Sequence, residues 1–366
     1  MLTLAQAAFV YSCVTSILLP LTAARSIRGT SVCNGYAELC SRTFGNVSYV
    51  GAHDSYAVAP GSISANQDYN VTTQLNDGIR MLQVQVHDSK GVPHLCHTSC
   101  SLLDAGPFVN YLTAVKEWVE ANPTEVISIL IVNSDSIAPT IYDQIYKAAG
   151  LNVYSYSPPS ATIDGSQWPT LGTLIDQKKT VLTFMDYHAD FTNVAYIIDE
   201  FSNIWETAYD VTDQTFNCAV NRTGEAGNKM YLINHFLDKE ETLFGITFPV
   251  PDTSKLNETN AVSGPGSLGL QAEECGAQYQ KYPTFMLVDF YEYGGGSVFQ
   301  VAAQLNGVTY SSPTPLPTPL LTTTSIAGQS QPPNPNGSVA RVYSDPIIRF
   351  GALVAGVVAG VMLVIQ

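Results

Sequence analysis

The sequence predicts an α/β fold, a distorted TIM-type β/α barrel in a single domain, from three observations. Five stretches run apolar and then stop at polar groups: YVGAHDSYA at 49–57, VISILIVNSD at 126–135, TVLTFMDYHAD at 180–190, KMYLINHF at 229–236 and TFMLVDFYEYGGG at 284–296. Near-continuous apolar strands are buried on both faces, as in a parallel sheet. The groups that end them bear chemistry: His53 with Asp54, Asn133 with Asp135, Asp186 with His188, Asn234 with His235, and Asp289. Functional residues at the carboxyl ends of several strands mark a β/α barrel. Amphipathic helical stretches alternate with these strands.

Residues 1–24 carry an apolar run from Ala7 to Leu21 and exit through LTAARS, the pattern of a secretory signal peptide. Setting aside Cys13, six cysteines remain, an even set suited to an oxidising compartment; pairing by proximity gives Cys33–Cys40, Cys96–Cys100 and Cys218–Cys275. Sequons at Asn46, Asn70, Asn221, Asn257 and Asn336 agree with export. Residues 25–307 form the barrel, and 308–338 turn to Pro, Ser and Thr, a composition that cannot bury a core and reads as a stalk. In 339–366 a short spacer precedes an apolar tail without a basic cluster, which reads as a GPI-anchor signal with attachment near Asn336, or second at Ser344. The expected location is extracellular, on the plasma membrane or in the wall. With 31 acidic and 16 basic residues, the net charge of −15 argues against nucleic acid and against docking on anionic lipid. A monomer is expected.

Residues 106–123 place Phe108, Leu112, Val115 and Val119 on one helical face, with Trp118 in the core. Residues 139–150 form a second helix, with Pro near its start and Gly at its end. Residues 169–186 read as a short helix and a strand, and 193–206 as an amphipathic helix. Residues 207–228 and 247–276 read as loops. The barrel is therefore expected to be irregular rather than eightfold regular.

The segment DGIRMLQVQVHDSKGVPHLCHTSC at 77–100 carries the companion to His53. Strand alternation puts Met81, Gln83, Gln85 and His87 on one face and Arg80, Leu82, Val84 and Val86 on the other. A turn at 89–91 then returns a short strand that brings His97 between two cysteines. Two histidines from separate strand ends suit general acid–base work on a phosphoester, since imidazole gives and takes protons near neutral pH. No Gly-x-Ser-x-Gly elbow, P-loop or His-Glu-x-x-His site is present.

Together VGAHDSYA, QLNDGIRMLQVQVHD, PHLCHTSC, ISILIVNSD and FMLVDFYEYG resemble the X-domain superfamily of phosphatidylinositol-specific phospholipases C, and within it the secreted, often GPI-anchored fungal PLC-like phosphodiesterases. The likeness spans roughly 44–307. It implies a distorted TIM barrel that cleaves the glycerol–phosphate bond of an inositol phospholipid by attack of the inositol 2-hydroxyl. By position His53 would be the general base, His97 the general acid, Asp289 the carboxylate that orients the base, and Asp54 the group beside the leaving oxygen.

Two positions depart from that pattern. Where relatives keep acidic calcium ligands, or an aspartate and an arginine, this chain has Gln83 and Gln85. Glutamine supplies neither a hard anionic ligand nor a compensating charge. No metal and no cofactor is therefore expected, and Arg80 has the wrong parity to substitute. Expected substrate contacts are Gln83, Gln85, His87, Asp135, Asp186 and Tyr291. Asp135, Asp186 and Asn234 equally suit strand-end caps, and Tyr291 with Tyr293 either an apolar lip or a plain loop. A different reading is a catalytically impaired barrel that serves as a surface or wall binding protein. A glycerophosphodiester hydrolase is a third, disfavoured because its acidic metal ligands are missing.

Overall fold

The computed structural model describes residues 31–222, 225–243, 246–312 and 315–320. The expected signal peptide, the anchor signal and Asn336 lie outside the described residues. In chain order the strands are β1 (Tyr49–Ala52), β2 (Met81–Ser89), β3 (Val92–His97), β4 (Leu103–Pro107), β5 (Ile127–Asn133), β6 (Val181–Met185), β7 (Ile197–Asp199), β8 (Ile204–Glu206), β9 (Met230–Asn234), β10 (Asp238–Leu243), β11 (Ile246–Pro251) and β12 (Phe285–Val288). The helices are α1 (Val71–Asp77), α2 (Phe108–Ala121), α3 (Pro139–Ala149), α4 (Leu171–Asp176), α5 (Glu200–Asn203), α6 (Leu256–Thr259), α7 (Leu268–Tyr279) and α8 (Ser297–Leu305).

Eight strands run parallel in the order β7-β6-β5-β2-β1-β12-β9-β8. Seen from β1, this is chain order around a barrel, with β12 closing on β1. Among the described residues no ladder joins β7 to β8; the single turn of α5 links them instead, so the distorted barrel is open at that seam. A β2-β3-β4 antiparallel flap extends from β2, and β10-β11 form a separate hairpin.

Strand alternation sorts the core into two layers. Tyr49, Met81, Leu130, Phe184, Leu232 and Phe285 fill the interior with Phe44 and Trp168. Val50, Leu82, Val84 and Ile129 face outward against Phe108, Leu112 and Tyr142 of the helices. Phe44 meets Tyr49, Trp168, Phe184 and Phe285 at ring-centroid distances of 5.2 to 6.5 Å, an aromatic plug toward the amino ends of the strands. The inward row of β2 thus begins at buried Met81 and continues into half-buried Gln83, Gln85 and His87. Gly51 is required where β1 passes between its neighbours: a Cβ there would stand 2.5 Å from Leu287 Cδ2 and 2.9 Å from Met81 Cβ.

The helices expected at 106–123 and 139–150 form as α2 and α3, and Trp118 is buried. Arg80 turns outward, as its parity requires, to Glu125 at 2.8 Å and to the Trp118 ring. All three cysteine pairs form as expected.

Three local expectations fail. Residues 193–206 are not one helix but β7, α5 and β8: Asp199 caps after two isoleucines and accepts from Ser202 N–H, and Ile204 and Trp205 re-enter the sheet. The stretch 247–276 is not all loop, because β11 and α6 lie there and Ser267 caps the start of α7. The stalk expected from residue 308 is at first part of the body. Tyr310 stacks on Phe299, Leu316 packs on the core, Tyr69 Oη donates to Thr318 O at 2.5 Å, and Leu320 N donates to Asp68 Oδ2 at 2.6 Å.

The four sequon asparagines within the described residues, Asn46, Asn70, Asn221 and Asn257, are all exposed. No described helix is long and apolar enough to cross a membrane.

The Cys218–Cys275 bridge ties the β8–β9 connection to α7 across 57 residues. Replacing both cysteines with alanine should lower the unfolding free energy by about 4 kcal/mol on loop entropy. Denaturant titration measures this, and an unchanged midpoint would refute it.

Candidate active site

The register of β1 against β12 builds the centre of the site. Ala52 lies opposite Val288, so the next residues, His53 and Asp289, leave the sheet side by side. His53 N–H continues the ladder to Val288 O at 3.0 Å, and Gln67 Nε2 donates to His53 O and Val288 O. His53 Nδ1 stands 2.8 Å from Asp289 Oδ1, and Asn66 Nδ2 donates to both oxygens of that carboxylate. A carboxylate can only accept, so the Nδ1 proton is held toward Asp289 and Nε2 faces the site. Phe236, just beyond β9, lies flat on the imidazole at 3.7 Å and 2°. Ring plane and tautomer of His53 are therefore both fixed.

His97 ends β3 beside the Cys96–Cys100 bridge and faces the same group from the other side. Its Nδ1 stands 2.8 Å from Ser64 O, an acceptor only, so Nδ1 donates. Its Nε2 lies 3.3 Å from Asp54 Oδ2, whereas His53 Nε2 lies 3.9 Å from the same oxygen. Asp54 is 4 % exposed, and its Oδ1 is buried without a hydrogen-bond partner. Two imidazoles thus converge on one carboxylate. His97 Nε2 is within hydrogen-bond distance of Asp54, and His53 Nε2 is beyond it.

Carboxylates dominate the field. Burial opposes the charge of His53, but Asp289 and Asp54 more than offset it and raise His53 from 6.5 to about 9. Burial also raises the Asp289 carboxyl, which the charge and hydrogen bond of His53 draw back in part. Asp238, at the foot of the β10-β11 hairpin, is pushed up to about 8 by burial and by Asp289. Asp210 is raised by burial and drawn down by His53 and His97, which places it in the field of both imidazoles.

The remaining expected contacts divide. Gln83 Oε1 accepts from Asp54 N–H and Gln85 Oε1 from Thr98 N–H, each at 2.7 Å, so only their amide nitrogens are left to a substrate. His87 Nδ1 pairs with Asp135 at 3.1 Å, while its Nε2 is buried with no partner. Asp186 is a strand-end cap, accepting from Asn133 and Tyr187 N–H and lying 3.5 Å from Arg222. Asn234 likewise bonds Thr207 and Glu206. Tyr291 is 0 % exposed and donates to Asp77 at 2.5 Å, so it offers no surface to a ligand and the apolar lip does not form there. Its neighbour Tyr293 is also buried, against Phe290. His235 is locked between Gln271 and Thr259, and burial lowers it to about 4. His188 is exposed at the end of its loop.

Ser64, Asn66, Asp210, Phe236, Asp238 and Arg222 are absent from the sequence-based set. Arg222 lies 3.3 Å from Glu206, with its guanidinium over Tyr187, Phe201 and Tyr209. None of these additional residues follows a strand period or a motif, and tertiary contact alone brings them to the site. Among the described residues one cluster has metal-ligand spacing, Cys96, Cys100 and Asp104, and its cysteines are consumed by their disulfide.

Comparison with known proteins adds a family. The family described as PI-PLC X 1 matches residues 39–306. An uncharacterized secreted protein of Arthroderma benhamiae is 44 % identical over 87 % of this chain and 73 % of its own length. The PI-PLC X domain-containing protein 1 of the same organism is 40 % identical over 76 % of this chain and 90 % of its own. Among solved structures, the F249X mutant of phosphatidylinositol-specific phospholipase C from Staphylococcus aureus aligns with TM-score 0.48 and 15 % identity, over 73 % of this chain and 94 % of its own.

Asp289→Asn removes the charge that lies closest to His53. NMR titration should then show His53 moving from about 9 back toward 6.5. The wild-type shift stabilises the fold fully below pH 6.5, and that stabilisation disappears as pH climbs through about 9. The variant should therefore lose most stability relative to wild type in acid and neutral buffer, and least above pH 9. An unmoved His53 titration would refute the assignment.

Proposed function

The chain belongs to the PI-PLC X domain family, and on that premise we propose that it is a phosphoric diester hydrolase of the phosphatidylinositol-specific phospholipase C type, working without calcium. The observation that carries this reading is the convergence of His53 and His97 on Asp54, with their outer nitrogens anchored to different acceptors. His53 Nε2, with its tautomer set by Asp289, is the base that takes the proton of the attacking hydroxyl. His97, with Nδ1 on Ser64 O and Nε2 toward Asp54, is the acid that protonates the leaving oxygen. The substrate is an inositol phospholipid or a related phosphodiester, and the attacking group is a hydroxyl of the substrate itself. His87 with Asp135, and the amide nitrogens of Gln83 and Gln85, are the proposed contacts along β2.

Export is supported by the secreted relative and by four exposed sequon asparagines. A GPI-anchored location on the plasma membrane or wall is part of the same proposal and rests on the sequence of 339–366. The impaired-barrel reading is less well supported, because a pocket kept only for binding has no need of two oriented imidazoles.

Purified full-length protein on phosphatidylinositol vesicles should release a cyclic inositol phosphate equally in EDTA and in Ca²⁺. His53→Ala and His97→Ala should each lower the rate by roughly 10² to 10⁴-fold. The base must be deprotonated to act, so kcat/KM should rise with pH until about 9. A product that requires Ca²⁺, or activity surviving both substitutions, would overturn the proposal.

A further inference from the structure

We infer that Gln83 and Gln85 are positioning residues, each fixing the backbone that follows one of the two imidazoles; the inference rests on the phosphodiesterase reading and explains why glutamine stands at these positions. Gln83 Oε1 accepts the N–H of Asp54, the residue after His53. Gln85 Oε1 accepts the N–H of Thr98, the residue after His97. The two bonds have the same length, 2.7 Å, and come from adjacent inward positions of β2.

Both residues so held have left-handed backbones, with φ of 39° at Asp54 and 59° at Thr98. Neither is glycine, and such conformations persist only where the surroundings over-determine them. Gln83 brackets Asp54 further, since its own carbonyl accepts Ser55 N–H at 2.9 Å. The left-handed step at Asp54 lets the chain leave β1 while its side chain faces both imidazoles; the step at Thr98 turns the chain into the Cys96–Cys100 loop with His97 facing back.

A backbone N–H only donates, so each amide must present its oxygen there and its orientation is set. Arginine or lysine could not accept these bonds. A carboxylate could, but it would add a negative charge beside Asp54, where the field is already acidic. The neutral amide supplies the acceptor without the charge. On this account the two glutamines support catalysis and do not record its loss.

Gln83→Met and Gln85→Met keep the length and remove the acceptor, whereas Gln83→Glu and Gln85→Glu keep the acceptor oxygen. The full-length variants are assayed on phosphatidylinositol vesicles, with the imidazole ¹⁵N resonances of His53 and His97 recorded alongside and thermal unfolding as the folding control. Each Met variant should lose kcat by ~10²-fold, as a displacement of about 1 Å can cost, and each Glu variant, which lacks the same amide nitrogen but keeps the acceptor, should recover kcat to within about tenfold of wild type. Gln83→Met should move the ring signals of His53, and Gln85→Met those of His97. Met variants that keep both kcat and ring signals, or Glu variants no better than Met, would overturn the inference. If the wild-type protein cleaves no phosphodiester, the proposed activity fails separately. The ring signals then decide alone: movement in the matching histidine supports positioning, and unchanged signals in both Met variants overturn it.

Discussion

The site depends on one alignment, the parallel pairing of Ala52 with Val288. Side chains alternate along a strand, so a slip of one residue would turn His53 or Asp289 to the other face and separate them. The slip is blocked from below. Tyr49 and Phe285 are opposite one another in the same ladder and stack in the aromatic plug, and Gly51 makes room for Leu287 and Met81 in this register. Packing at the amino ends of the strands thereby sets the placing of His53 and Asp289 at their carboxyl ends.

On that frame the chemistry is divided by hydrogen-bond acceptors. His53 has a carboxylate behind it and His97 a peptide carbonyl. A carboxylate favours the charged ring far more than a neutral carbonyl does, so two identical side chains receive different electrostatic surroundings within one pocket. The surrounding acids Asp238 and Asp210 are raised chiefly by burial; Asp289 adds to the first and Asp54 to the second, and His53 draws both down.

Much of this was legible in the sequence where a period or a spacing carried it. Alternation in β2 gave the inward row and sent Arg80 outward, and apolar runs ending in polar groups gave the barrel together with His53 and Asp289. His97 was found because two cysteines bracket it. Legibility ended where tertiary contacts outweigh local pattern. Asn66 and Ser64 lie in an irregular loop, and only folding shows that their amide and carbonyl reach the histidines. Phe236 looks like any core aromatic until the ring beneath it is seen. Residues 193–206 have a helical distribution of apolar side chains, yet they become two three-residue strands because the sheet offers edges on both sides of the seam. Tyr291 misled for the reverse reason: a tyrosine beside glycines at a strand end suggests a rim, but its ring is enclosed by Phe299 and its hydroxyl by Asp77.

The segment at 316–320 lies along Asp68 and Tyr69, which belong to the same short loop as Ser64 and Asn66. A force transmitted along the chain from beyond Leu320 would reach these two hydrogen bonds before it reached any barrel strand. The loop that orients both imidazoles is thus the first mechanical element in series with any pull applied at Leu320, and such a pull would disturb the setting of the two rings before it opened the fold.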